Sequence, residues 1–283
     1  MLSTRPLTPH AGEQISGVDS SNALPAAATA EILRVLDTRG VVLMRGQSLT
    51  QAAFIAFARA LGPLAPHPHP RLSQLEFPEL ILNSNMTDDS KPGGIPESGR
   101  FWQSDGAHLK TPYRLSIQYA VEIPEREGVP LGATLFAHTG AAYDALSPEL
   151  RQQLHGMRAQ HASGAARKWR ATPFYLDAGM TRIFRGGIEH PVVRPHPVTR
   201  RKCLFVAPAS IASIRGMHDR DSRELLARLH QHLENPIFHY HHRWQAGDLM
   251  LWDNSSVQYR VENDYAPPLR RVLYRAMVKG ASA

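Results

Sequence analysis

The 283-residue chain has a single cysteine, Cys203, so no disulfide can form within it. Its stability must come from a packed core, and a lone thiol fits a reducing compartment, with the cytoplasm as the default expectation. Nowhere does an apolar run approach the roughly 20 residues needed to span a bilayer. The N-terminus has no basic segment followed by an apolar one, so neither a membrane anchor nor a leader is expected. No Gly/Ser/Pro linker and no internal repeat divides the chain, which reads as one domain over residues 1–283. Acidic residues are the minority charge: 25 Asp+Glu against 32 Lys+Arg leave a net charge of +7 and a pI near 9.8. The basic residues are dispersed apart from Arg167-Lys168-Trp169-Arg170 and Arg200-Arg201-Lys202, and no nucleic-acid-binding motif accompanies them. The expected partner is a small anionic substrate rather than nucleic acid or a membrane. Homo-oligomerisation is left open.

What the chain does have is an ordinary globular composition, 42% hydrophobic and 20% charged, with length enough for a large core. Ala27 to Leu36 reads as a helix with Ile32, Leu33, Val35 and Leu36 on its apolar side, and Val41–Met44 as a short buried strand. Thr50 is placed to cap a second helix carrying Phe54, Phe57 and Leu61, which Gly62 stops. Leu115, Ile117, Tyr119 and Val121 alternate as a half-buried strand. Ser147-Pro148-Glu149 opens a further helix with a cap and a proline at the first position. Leu225, Leu226, Leu229 and Leu233 mark an amphipathic helix before Pro236. Thr181–Phe184 reads as a strand. Residues 88–99, rich in Gly, Pro and Ser, form a loop directly ahead of Trp102, either a lid or a plain connection.

Histidine is abundant, with 15 residues, but its spacing is only loosely suggestive. His67 and His69 lie two apart in an extended proline-rich loop. His239 and His241 share one face of a strand. Either pair is spaced for a metal, yet a solvated or structural role is the simpler reading for each. His155, His190 and His196 read as structural.

Chemistry concentrates in three stretches. Phe101-Trp102-Gln103-Ser104-Asp105-Gly106-Ala107-His108, read as extended, points Gln103 and Asp105 at one spot, because residues i and i+2 of a strand share a face. Gly247 to Gln258 ends an alternating strand at Leu249 and Leu251 and delivers Gln258 from the turn or strand that follows. Leu269 to Val278 places Arg271, Leu273 and Arg275 on one face of a third strand.

These stretches resemble the TauD/TfdA family, the Fe(II)- and 2-oxoglutarate-dependent oxygenases similar to taurine dioxygenase. In that family the first stretch reads Trp-His-x-Asp and the second Trp-Asp-Asn-Arg-x-x-x-His, the two histidines and the aspartate being the iron ligands. Against that pattern Gln103 and Gln258 stand for the histidines, while Asp105 keeps the carboxylate. The resemblance runs over roughly residues 15–280. It implies a mainly β fold, a double-stranded β-helix or jelly roll with flanking helices. It further implies that Thr134, in Gly132-Ala133-Thr134, helps hold 2-oxoglutarate and that Arg271 grips the far carboxylate of that cofactor. Arg275 would meet an anionic substrate or assist the cofactor, and a substrate-contacting histidine is implied near His67 and His69.

In the resembled chemistry, two imidazoles and a carboxylate leave open positions on Fe(II) for 2-oxoglutarate and oxygen. Two carboxamides and a carboxylate suit Mg(II), Ca(II) or Mn(II) better. Three readings therefore stay open. One is an oxygenase with an unusual metal site at Gln103, Asp105 and Gln258, with His108 resupplying an imidazole if the chain bulges at Gly106. Another is a metal-free enzyme using the retained anion pocket, with Asp105, His108 and Tyr119 as acid/base candidates. The third is an inactive relative that binds a carboxylate or a protein partner. Arg271 and Arg275 lie ~13 Å apart along a strand and so hold different groups. The alternative is that both pair with internal acids such as Asp248 or Asp253.

Overall fold

The computed structural model describes residues 2–67, 75–85, 101–162 and 187–280. His69, the 88–99 loop, the Thr181–Phe184 strand and the Arg167–Arg170 basic group lie outside them.

Among the described residues the fold is mainly β, with a jelly-roll core. Seven strands form the larger sheet, in the order Ser3–Pro6, Glu13–Ser16, Val41–Met44, Leu249–Asp253, Leu115–Glu122, Val272–Val278, Ile81–Ser84. Its pairings are antiparallel except that Glu13–Ser16 runs parallel to Val41–Met44. Opposite it lies a three-stranded sheet, His239–His242, Thr134–His138 and Val257–Val261. An aromatic layer that includes Phe136, Trp244, Trp252 and Tyr259, with Leu43 and Leu273, fills the space between the sheets. Tight packing of this kind holds each side chain in one place, which a site built from distant segments requires.

The outer face of the large sheet is covered by the helices Ala26–Arg39 and Gln51–Ala60. The first ends where Gly40 takes φ +75°; a Cβ there would come within 2.5 Å of Val257 Cγ2, so only glycine fits. As expected, Thr50 caps the second, its hydroxyl accepting from Ala53 N at 3.2 Å. Ile32, Leu36, Phe54 and Phe57 bury their apolar faces against Ile117 and Leu251. Each such side chain contributes about 1.5–3 kcal/mol when fully buried. The helix at Pro148–Gln153 is capped by Ser147, and the helix Asp219–Leu233 covers a separate apolar cluster.

Two local expectations fail. Leu115–Glu122 is buried on both faces rather than one, Ser116, Gln118 and Ala120 included, because helices cover one side and the second sheet the other. Residues 101–108 are not an extended strand. Gln103 makes a single antiparallel bridge to Tyr259, after which the chain turns, with Ala107 N donating to Ser104 O and Leu109 N to Gly106 O. Gly106 sits at φ +72°, where a Cβ would meet Tyr113 N at 2.9 Å.

Candidate functional site

The turn after Gln103 carries Asp105 to the end of the aromatic layer. Asp105 N donates to Asn254 Oδ1 at 3.1 Å, and Asn254 Nδ2 donates to Ser116 Oγ at 3.0 Å. Ser116 Oγ in turn donates to Asp105 Oδ2 at 2.5 Å. Arg275 Nη2 donates to the same carboxylate oxygen and, at 2.9 Å, to Tyr259 Oη. The Tyr259 hydroxyl donates to Asp105 Oδ1 at 3.0 Å. Both carboxylate oxygens are thus occupied by donors from this chain. Burial works against charge on Arg275, yet Asp105 and Tyr259 hold its pKa above the ordinary arginine value. Burial also raises the Tyr259 phenol, which stays protonated. The Arg275 guanidinium carbon lies 5.6 Å from the ring centres of both Trp252 and Tyr259, a cation–π setting.

Gln258 has no part in this cluster. Neighbouring residues of a strand face opposite ways: Tyr259 pairs with Phe136 of the aromatic layer, whereas Gln258 pairs with Ala137 on the other side. Gln258 is buried, and among the described residues neither of its amide atoms has a hydrogen-bond partner. Its place beside Asp105 is taken by Tyr259, the residue sequence reasoning missed. The signal was there, since Trp-Asp-Asn-Arg-x-x-x-His counted from Trp252 ends at Tyr259. The acid/base role for Tyr119 is corrected too. Its hydroxyl donates to Gln47 O and accepts from Leu49 N in the helix-side core, because Tyr119 pairs with Tyr274 while Gln118 pairs with Arg275. His108, beyond the Gly106 turn, is exposed; its pKa is lowered by partial desolvation, against the pull of Asp105.

A second pole lies at the other end of the same strand. Arg271 is 6% exposed, and among the described residues its Nε and Nη2 have no hydrogen-bond partner. Its guanidinium lies 5.8 Å from the Trp244 ring centre and 5.9 Å from that of Tyr265. Burial lowers its pKa, with Tyr265 and Asp264 opposing. Trp244 Nε1 donates to the buried Thr134 hydroxyl at 2.9 Å, leaving the hydroxyl proton free to be donated. Gly132 makes room: a Cβ there would meet Arg271 Cδ and Nε at 2.9 Å. Neither arginine pairs with Asp248 or Asp253. Asp248 bonds Arg45 and faces His242, and Asp253 faces His196 at 3.2 Å.

Asp37, His196 and Asp253 are grouped closely enough for a metal. However, His196 Nδ1 accepts from Val198 N and Thr199 N, so Nε2 carries the proton and donates to Asp253. Asp37 holds Arg114 at 3.0 Å. The group is a structural clasp. His190 likewise bonds Leu109 O, and His239 bonds Leu233 O, consistent with structural roles. His241 pairs with Glu262 at the surface.

A 2-His-1-carboxylate iron site needs two neutral imidazoles and an available carboxylate. Gln103, Tyr259 and a fully engaged Asp105 do not fit that ion. Arg271 and Thr134 do fit a carboxylate.

A jelly roll of two facing sheets is the fold class shared with TauD-like dioxygenases. Within it, this chain belongs to the taurine catabolism dioxygenase TauD, TfdA family, whose pattern matches residues 3–277. It is 34% identical over 281 residues to an alpha-ketoglutarate-dependent 2,4-dichlorophenoxyacetate dioxygenase of Cupriavidus pinatubonensis, covering 96% of this chain and 95% of that one. To the alpha-ketoglutarate-dependent sulfate ester dioxygenase of Pseudomonas putida it is 29% identical, with 96% and 87% covered. Among solved structures, AAD-2 in complex with Mn(II) and N-oxalylglycine superposes with a TM-score of 0.81 at 27% identity, over 100% of this chain and 98% of that one. No helix among the described residues is long and apolar enough to cross a membrane.

Proposed function

We propose that this family member binds a small carboxylate at Arg271 and does not couple 2-oxoglutarate decarboxylation to hydroxylation at an iron centre. The observation that carries this reading is the state of Asp105. Its two oxygens accept from Ser116, Arg275 and Tyr259, and the flanking Gln103 supplies only a neutral amide. A metal would have to displace a buried guanidinium from its counter-charge, which is costly in a low-dielectric site. By contrast, the unpaired N–H groups of Arg271 leave a buried cation uncompensated, a state that an entering anion relieves. Arg271 Nε and Nη2 would hold the carboxylate side on, with a further hydrogen bond from Thr134 Oγ1.

A second reading, an ordinary dioxygenase, is favoured by the 34%-identical relative that is a 2,4-dichlorophenoxyacetate dioxygenase. One assay separates the two: succinate release from 2-oxoglutarate with Fe(II) and ascorbate, across a panel of anions that includes 2,4-dichlorophenoxyacetate. No substrate-stimulated succinate is expected. Stimulated release that disappears in Asp105→Ala would establish the dioxygenase instead.

A further inference from the structure

The two poles carry different charge, and the difference limits what the site accepts. At one, Asp105 and Arg275 cancel, and the remaining hydrogen bonds come from neutral hydroxyls of Ser116 and Tyr259. At the other, Arg271 has the Tyr265 phenol as a neutral neighbour and, among the described residues, no carboxylate paired with it. The carboxylate that acts on it, Asp264, is exposed and already accepts from Gly132 N at 2.7 Å. Asp248, deeper in the sheet, is held by Arg45 at 2.8 Å. Between the poles lie apolar and aromatic groups, Leu273, Trp252 and Trp244, which offer no further charge. Among the described residues the two poles therefore hold one positive charge without a carboxylate partner, not two.

We infer that the site selects a monoanion: a short-chain carboxylic acid whose one carboxylate docks on Arg271 and whose far end is neutral and polar. This rests on the reading of Arg271 as an anion receptor and sharpens it. A neutral far end such as a carboxamide or hydroxyl exchanges hydrogen bonds with the Tyr259 and Ser116 hydroxyls and leaves the ion pair intact. A second carboxylate instead approaches the Asp105 carboxylate, or must strip Arg275 from it. Like charges brought together in a desolvated site are strongly disfavoured. Dicarboxylates, 2-oxoglutarate among them, are then the poorer ligands without a metal.

The test compares glutarate with glutaramate, near-isosteric chains that differ by one charge, by calorimetry of the full-length protein in EDTA-containing buffer. Glutaramate is expected to bind more tightly by about tenfold or more. In Asp105→Asn, where Arg275 loses its counter-charge, the order should reverse toward glutarate. Arg271→Ala should abolish both. Glutarate binding as well as or better than glutaramate in the wild type, with both lost in Arg271→Ala, overturns the monoanion selection while keeping the anion site. No binding of either, or binding indifferent to Arg271→Ala, removes the anion site itself and the inference with it. The wild-type comparison decides the matter even if Asp105→Asn fails to fold.

Discussion

Arg271 and Arg275 lie four residues apart on the same stretch of chain, the first buried and the second largely so, yet they live under opposite conditions. Arg275 is held by a carboxylate and a phenol and stacks over two aromatic rings. Among the described residues Arg271 has aromatic neighbours and no carboxylate partner, and both its Nε and Nη2 lack an acceptor where Arg275 lacks one only at Nε. A buried charge with its partner is part of the fold. One without a partner costs stability and persists where a ligand repays it. The contrast separates a pole that completes itself from one that waits for something.

The sharpest way to break that contrast is to delete each arginine in turn and compare urea unfolding. Arg275→Ala strands Asp105 in a buried site and should cost about 3–5 kcal/mol. Arg271→Ala removes an unsatisfied cation and should change stability by less than about 1 kcal/mol, or raise it. Equal losses would erase the distinction. Metal content tests the same pole next. Anaerobically purified wild type should hold no stoichiometric Fe(II), whereas Gln103→His with Tyr259→His should bind it at least ~100-fold more tightly. Iron in the wild type, lost in Asp105→Ala, would falsify the self-completed pole.

Acid sensitivity probes the Arg271 side through one of several histidines whose pKa is lowered. His242 lies edge-on to Trp244, ring centres 4.6 Å apart. Burial chiefly lowers its pKa, with Asp248 opposing and Arg45 and Arg271 adding to the effect. The unfolded chain then takes up a proton below the ordinary value of 6.5 while the native state does not, so stability falls as pH drops below 6.5. The slope reaches at most about 1.4 kcal/mol per pH unit for one such group. Replacing it, His242→Gln, should flatten the unfolding free energy between about pH 6.5 and 5; an unchanged slope would place the acid lability elsewhere. A modest effect is expected from Gly132→Ala. The added methyl meets Arg271 and Tyr265 and sits at φ +71°, which should cost about 1 kcal/mol. Carboxylate binding should weaken while Arg275→Ala still destabilises as before.

Much of this was legible from the chain alone. The apolar side of Ala26–Arg39, the Thr50 and Ser147 caps and the Val41–Met44 strand are local signals, and the structure keeps them. The pattern around Trp102–Asp105 and Trp252–Asn254, with Arg271 and Arg275, pointed to the family that the comparisons bear out. The extended reading of residues 101–108 failed because one bridge to Tyr259 and the left-handed Gly106 end the strand at once, and neither is visible in periodicity.

The sequence by itself determined the family, several of the sheet-forming segments and the two arginines that the resemblance singles out. Counting from Trp252 already places Tyr259 rather than Gln258 at the motif's last position. But only the tertiary structure decided that Tyr259 bonds Asp105, that Tyr119 turns away from it, and that Arg275 is ion-paired while Arg271 is not. The reason is physical. Strand side chains alternate faces, so a one-residue difference moves a group to the opposite side of the sheet. Asp105 finds its partners 154 and 170 residues along the chain, a distance that only the folded sheets close.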